Sequence, residues 1–164
     1  RYDITAAGSK KSFNDYEVGE QIDHIDSNTI CEADHLFATR LWQNNSKVHF
    51  DINSREDRKR LIYGGHIISL VRSLSFNGLE NAQLIVGING GTHSNPVFAE
   101  DTIYCWSEVL DKIDLNVRNI AALRLRSVGT KEKNHNMKVK SDDGKYLPTI
   151  VLDFDYWVLV PKEL

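Results

Sequence analysis

Between residues 64 and 78 the chain reads GGHIISLVRSLSFNG, and this stretch limits the possible folds more than any other. Ile67, Leu70, Val71 and Leu74 recur at helical spacing, Ile68 widens the stripe, and Phe76 extends it. The segment therefore predicts a helix that is apolar around much of its circumference, and such a helix belongs in the middle of a fold. Asn77-Gly78 supplies its stop, because these residues accept the left-handed conformation that ends helices. The cover for this helix has to come from the runs that follow it, at 84–89, 102–110, 120–128 and 149–160. The last of these sets Ile150, Leu152, Phe154 and Tyr156 against Val151, Asp153, Asp155 and Trp157, a period of two with one wetter face.

Upstream, residues 21–25 read as a short first strand. Thr29-Ile30-Cys31-Glu32 fits a capping box. Ala33, Leu36, Phe37, Arg40 and Leu41 then follow helical spacing as the apolar stripe of a first helix. Residues 52–60 are a charged stretch, and residues 131–145 form a polar connection with no core of its own. Helices followed by consecutive strands imply an α+β arrangement, with a curved antiparallel sheet wrapped around a long central helix: the hot dog fold. Residues 1–12 read as a tail or linker and 13–164 as the domain. The chain opens on Arg1 rather than methionine, as expected of a processed product or a piece of a longer polypeptide.

At 164 residues the chain is long enough to bury a sizeable core without a disulfide or metal staple. A formal net charge of -3 argues against a dedicated nucleic-acid binder. No run approaches the roughly 20 apolar residues of a membrane span. Two cysteines, Cys31 and Cys105, in apolar or periodic segments read as buried reduced thiols of a cytoplasmic protein. No CxxC pair is present, and Glu32 with His35 makes only one Glu-x-x-His pair where a di-iron site needs two, so no metal is expected. A nucleophile elbow, a Walker A loop and a dinucleotide fingerprint are likewise missing.

The segments WQNNSKVHFD, RLIYGGHIISLVRSLSFNGL and NPVFAEDTIYCWSEVLD resemble the MaoC-like, or R-specific enoyl-CoA hydratase, family. The opening YEVGEQIDHID and the closing LDFDYWVLVPKE fit as well, so the resemblance covers nearly the whole chain. It points in particular to the C-terminal half of a branch in which two hot dog units are fused and whose substrates carry an extra carboxylate. The resemblance implies a hydro-lyase that adds or removes water at the double bond of a short enoyl-CoA thioester. Coenzyme A would be part of the substrate, and no separate cofactor is expected. Hot dog units generally pair, so the resemblance also implies a homodimer or association with a second hot dog domain, with no nucleic-acid or membrane partner.

The family motif places an acid five positions before a histidine, and both meet the reacting water. His49 matches that histidine, whereas the acid position holds Asn44. An amide can orient water but cannot take its proton, so the acid/base burden would shift to His49. Gly64 and Gly65 open the central helix. The resemblance makes the backbone N–H groups of Gly65 and His66 candidate donors to the thioester oxyanion. Taken alone, Gly-Gly is an ordinary turn before a helix, and the His66 side chain could touch the acyl group, cap the helix or face solvent. Gly64, His93 and Asn95 are expected at the pocket edge, with Asn89 similarly placed. Arg72 is a candidate partner for a substrate carboxylate, although an arginine on such a helix also reaches the surface readily. The cluster Arg58, Lys59 and Arg60 is a second candidate for that carboxylate, or would hold the coenzyme A phosphates or form a solvated face.

Two other functions fit the same fold. One is an acyl-CoA thioesterase, disfavoured because the central helix carries no Asp or Glu to activate water. The other is a non-catalytic unit that binds acyl-CoA or scaffolds a partner.

Overall fold

The computed structural model describes residues 3–133 and 136–162. The two residues at each end of the chain, and Asn134 and His135, lie outside the described residues. The elements run β1 (Gln21–Thr29), α1 (Glu32–Leu41), α2 (Gly64–Leu74), β2 (Leu84–Thr92), β3 (Thr102–Val117), β4 (Ile120–Thr130) and β5 (Ile150–Pro161). The strands form one antiparallel sheet in the order β1-β3-β4-β5-β2. This is the expected α+β architecture with α2 lying against the sheet.

The core is built where the periodicities of the helix and the strands meet. Ile67 and Val71 of α2 are almost wholly buried against a floor that includes Val109, Leu123, Leu125 and Leu152. Each such side chain contributes about 1.5–3 kcal/mol by leaving water. The cover is one-sided, however: Ser69 and Ser73 are exposed and Phe76 is 49% exposed. The sheet wraps one flank of the helix rather than its whole circumference. Gly78 stops the chain after α2 at φ 99°, and a Cβ there would sit 2.7 Å from the Ile22 side chain, so only glycine suits the turn.

A polar row crosses this core. His24 Nδ1 lies 2.6 Å from Asn77 O, and His24 Nε2 lies 2.8 Å from Ser107 Oγ. Ser107 Oγ is 2.7 Å from Ser127 Oγ, which is 2.9 Å from Tyr156 Oη. All four side chains are at most 1% exposed. The row spans β1, β3, β4 and β5, and these hydrogen bonds offset the desolvation of its members.

Several expectations fail for identifiable reasons. Thr29 does not cap α1. It is drawn into β1, where its hydroxyl meets that of Thr102, and Cys31 becomes the N-cap residue. That leaves Cys31 exposed, with only Cys105 buried. The stripe on α1 is turned outward: Phe37 and Leu41 are 70% and 58% exposed, while His35, Ala38 and Thr39 face inward. Residues 3–12 are not a free tail, because the buried Asn81 side chain donates to the carbonyls of Ile4 and Lys11 and binds them to the domain. The connection after β4 also has a core, formed by Val139 with Met137, Tyr146 and Leu147 on Trp106 and Val128.

Candidate active site

The site forms where the approach to α2 is pinned from both sides. The Leu61 N–H donates to Val48 O (2.9 Å), and the Leu61 carbonyl accepts from His49 Nδ1 (2.8 Å). The next residue, Ile62, donates to Val97 O (2.9 Å), which ties the 93–97 segment to the same place. Because a carbonyl only accepts, Nδ1 of His49 carries a proton, which puts the lone pair of the neutral ring on Nε2. His49 lines a cavity of about 420 Å³ together with Leu61, Gly64, Ile67, His93 and Asn95. The structure therefore gathers His49, Gly64, His93 and Asn95 in one place, although they are spread over 47 residues of sequence.

The two glycines are required by the rings that cover them. A Cβ on Gly64 would fall 2.7 Å from His93 Nε2, and one on Gly65 would fall 2.5 Å from Tyr63 Cζ. Either substitution would force a ring aside. Gly64 and Gly65 start α2, where no preceding turn can accept their N–H groups. The expected pair of oxyanion donors needs correcting, since the His66 N–H turns back onto Tyr63 O at 2.9 Å. Gly65 remains a candidate backbone donor at the positive end of the helix dipole, although it is not among the residues that line the cavity of His49.

Asn44 is half-buried and is not among the residues that line the cavity; its Oδ1 accepts from the Ser46 N–H at 2.9 Å, which leaves one oxygen lone pair and the Nδ2 donors for other partners. Asn95 donates Nδ2 to Leu147 O (3.0 Å) and Ile150 O (2.7 Å), which leaves it only as an acceptor at the cavity wall. His93 lines the cavity, and desolvation lowers its pKa. Asn89 lies away from the cavity lining and donates to Asp155.

Arg72 is not among the residues that line the cavity. It lies in the last turn of α2, about two turns beyond Gly65, roughly 10 Å along the axis. Its guanidinium is bound to Ser75 Oγ (2.8 Å) and to the Ala82 carbonyl. The basic cluster is also engaged in part: Arg60 pairs with Glu32 (2.6 Å) and Phe50 O (3.0 Å), and Arg58 donates to Asn53. The Arg60–Glu32 pair holds the start of α1 against the loop that carries His49.

Two side chains at the site escaped the sequence reading. His35 is fully buried on the inner face of α1, with its ring centroid 6.4 Å from those of both His49 and His66. Burial first, and the nearby His66 second, push its pKa down to about 4, so it is neutral near pH 7. Tyr63 precedes α2 and stands edge-on to His49, with centroids 5.8 Å apart. A histidine placed three residues after an acid gave no such signal, because the stripe that seemed to face inward on α1 is the one that faces out. No group of three or more His, Cys, Asp or Glu among the described residues has metal-binding geometry.

A solved structure of a MaoC-domain dehydratase from Chloroflexus aurantiacus matches 99% of this chain with a TM-score of 0.94 and 51% identity, over 48% of its own length. The chain has the hot dog fold and is similar in sequence and structure to MaoC-like dehydratases. In sequence it is 56% identical over 161 residues to the mesaconyl-CoA hydratase of Cereibacter sphaeroides, which covers 98% of this chain and 47% of that protein. It is 54% identical over 166 residues to the beta-methylmalyl-CoA dehydratase of Chloroflexus aurantiacus, again with 98% and 47% coverage. The chain thus spans about half the length of the curated relatives it matches. No family model matches the chain.

Proposed function

We propose that this domain carries a hydratase/dehydratase site for a short, carboxylate-bearing enoyl-CoA thioester of the mesaconyl-CoA/β-methylmalyl-CoA type. The observation that carries this reading is the His49–Leu61 hydrogen bond, which leaves an imidazole lone pair beside a cavity at a helix N-terminus. In hydration, His49 Nε2 takes a proton from water while the water oxygen bonds to the β-carbon. The electron pair of the double bond moves to the thioester oxygen, where the Gly65 N–H meets the developing charge. The imidazolium then returns the proton to the α-carbon, and dehydration is the reverse. Asn44, five residues before His49, is the second polar group assigned to the water, and Gly64, His93 and Asn95 line the cavity that receives the substrate.

The two relatives named for this chemistry support the reading. The thioesterase alternative remains disfavoured, because α2 presents no carboxylate. Pairing with a second copy or another hot dog unit is supported by exposed apolar side chains on the edge strand β2, where Leu84, Val86 and Ile88 are 59%, 52% and 65% exposed. No helix among the described residues is long and apolar enough to cross a membrane. Free thiols at Cys31 and Cys105 fit a reducing, cytoplasmic setting.

The test follows enoyl-thioester absorbance with mesaconyl-CoA and crotonyl-CoA supplied separately, with His49→Ala as control. Loss of absorbance that the mutation abolishes supports the reading. Release of free thiol would transfer the case to the thioesterase. No reaction, even with a second hot dog unit added, would overturn it.

A further inference from the structure

A second, smaller cavity of about 140 Å³ opens on the other flank of the first turn of α2, lined by Ala38, Trp42, Tyr63, Gly65, His66 and Ser69. It shares no lining residue with the cavity of His49, yet it includes Gly65, the proposed oxyanion donor. We propose that this cavity is the subsite for the carboxylate of the acyl group, with the His66 imidazole and the Tyr63 hydroxyl as its donors. The proposal rests on the enoyl-thioester reading and names the residues that set its substrate class.

Four observations converge on it. The His66 side chain lines the cavity and has no side-chain hydrogen bond among the described residues. The Tyr63 ring is held over Gly65, so close that a Cβ there would lie 2.6 Å from its hydroxyl oxygen. The cavity sits at the positive end of an 11-residue helix, where anions are favoured. Behind His66 lies His35, wholly buried with neither ring nitrogen bonded among the described residues, so that its one N–H has no acceptor. Ser69 donates its hydroxyl to Gly65 O and so offers no donor. The charged groups that face this corner are Asp34 and Glu32 of α1, the latter already paired with Arg60.

The geometry also fits the chemistry. In an enoyl thioester with a carboxylate on its β-carbon, both ends of the acyl group are anionic in the transition state. One helix turn then serves both, with Gly65 for the thioester oxygen and His66 for the carboxylate. Desolvation lowers the pKa of His66 in the free protein. A bound carboxylate favours its protonated form, so affinity for such a thioester rises as pH falls, whereas affinity for a neutral one does not.

Succinyl-CoA and butyryl-CoA, saturated thioesters that cannot be hydrated, test this by calorimetric binding to the unmodified protein, His66→Leu and Tyr63→Phe. We expect about a tenfold or larger preference for succinyl-CoA at pH 6.5, shrinking by pH 8, and collapsing to below about threefold in His66→Leu. Tyr63→Phe should weaken the preference by a few fold, and it carries the test if His66→Leu fails to fold. Equal affinity of the unmodified protein for the two thioesters, or equal weakening of both by the substitutions, would overturn the subsite. Neither probe turns over, so a protein that shows the preference but hydrates no enoyl thioester would refute the hydratase reading alone.

Discussion

Replacing His35 with leucine should remove much of the acid sensitivity of the fold. The imidazole is fully buried, and its pKa falls from 6.5 to about 4 on folding, through burial and then the neighbouring His66. Since the folded value is the depressed one, the unfolded chain takes up this proton first as the pH drops. The associated stability is present above pH 6.5 and is lost progressively down to about pH 4. At 1.36 kcal/mol per unit, the loss between about pH 7.5 and 4.5 comes to roughly 2.5 kcal/mol, a large part of the 5–15 kcal/mol typical of a domain. Urea denaturation of the unmodified protein and His35→Leu at both pH values isolates this contribution, because the other titrating groups are common to both chains. The variant should lose about 2.5 kcal/mol less than the unmodified protein over the interval. Parallel losses in the two proteins would show that His35 is not buried neutral and would refute the reasoning.

Three further outcomes follow from the packing. Ser127→Ala breaks the bonds that join Ser107 to Tyr156 across the core and should cost about 1–3 kcal/mol by urea titration, with Tyr156→Phe milder because Ser107 and Ser127 keep each other as partners. Gly65→Ala drives a methyl group into the Tyr63 ring and disturbs the oxyanion donor, so kcat on a responsive enoyl thioester should fall by about 10²-fold. Val86→Lys together with Ile88→Lys on the free edge of the sheet should shift sedimentation toward the monomer, whereas an unchanged distribution would place any pairing elsewhere.

The central helix and the four long strands were legible because each buries a face whose period the residues repeat. Val71 and Leu152 announce their side of the fold whatever their neighbours do. His49 and the Gly-Gly turn were legible only through resemblance, since nothing in the spacing of His49 reveals that Leu61 will accept its Nδ1 proton. Arg72 was misplaced because a helix pattern gives the face of a residue but not which end of the helix meets the cavity. On α1 the pattern misled outright. Phe37 and Leu41 repeat as a core stripe should, yet the space under α1 is filled by His35, Ala38 and Thr39. A stripe that is covered by something other than its own domain cannot be told from a core stripe by period alone.

The buried row from His24 to Tyr156 has a consequence for how the strands find one another. Ser107 and Ser127 sit directly opposite, and alternate residues of a strand point to opposite faces. If β4 slipped by one position, Ser127 would swing to the opposite face and Arg126 or Val128 would come opposite Ser107, breaking the hydroxyl pair. Hydrophobic pairing among so many similar apolar residues discriminates less well against a slip of two positions, which keeps every side chain on its face. Three hydroxyls and one imidazole that must all meet at once act instead as a checksum on the assembled sheet.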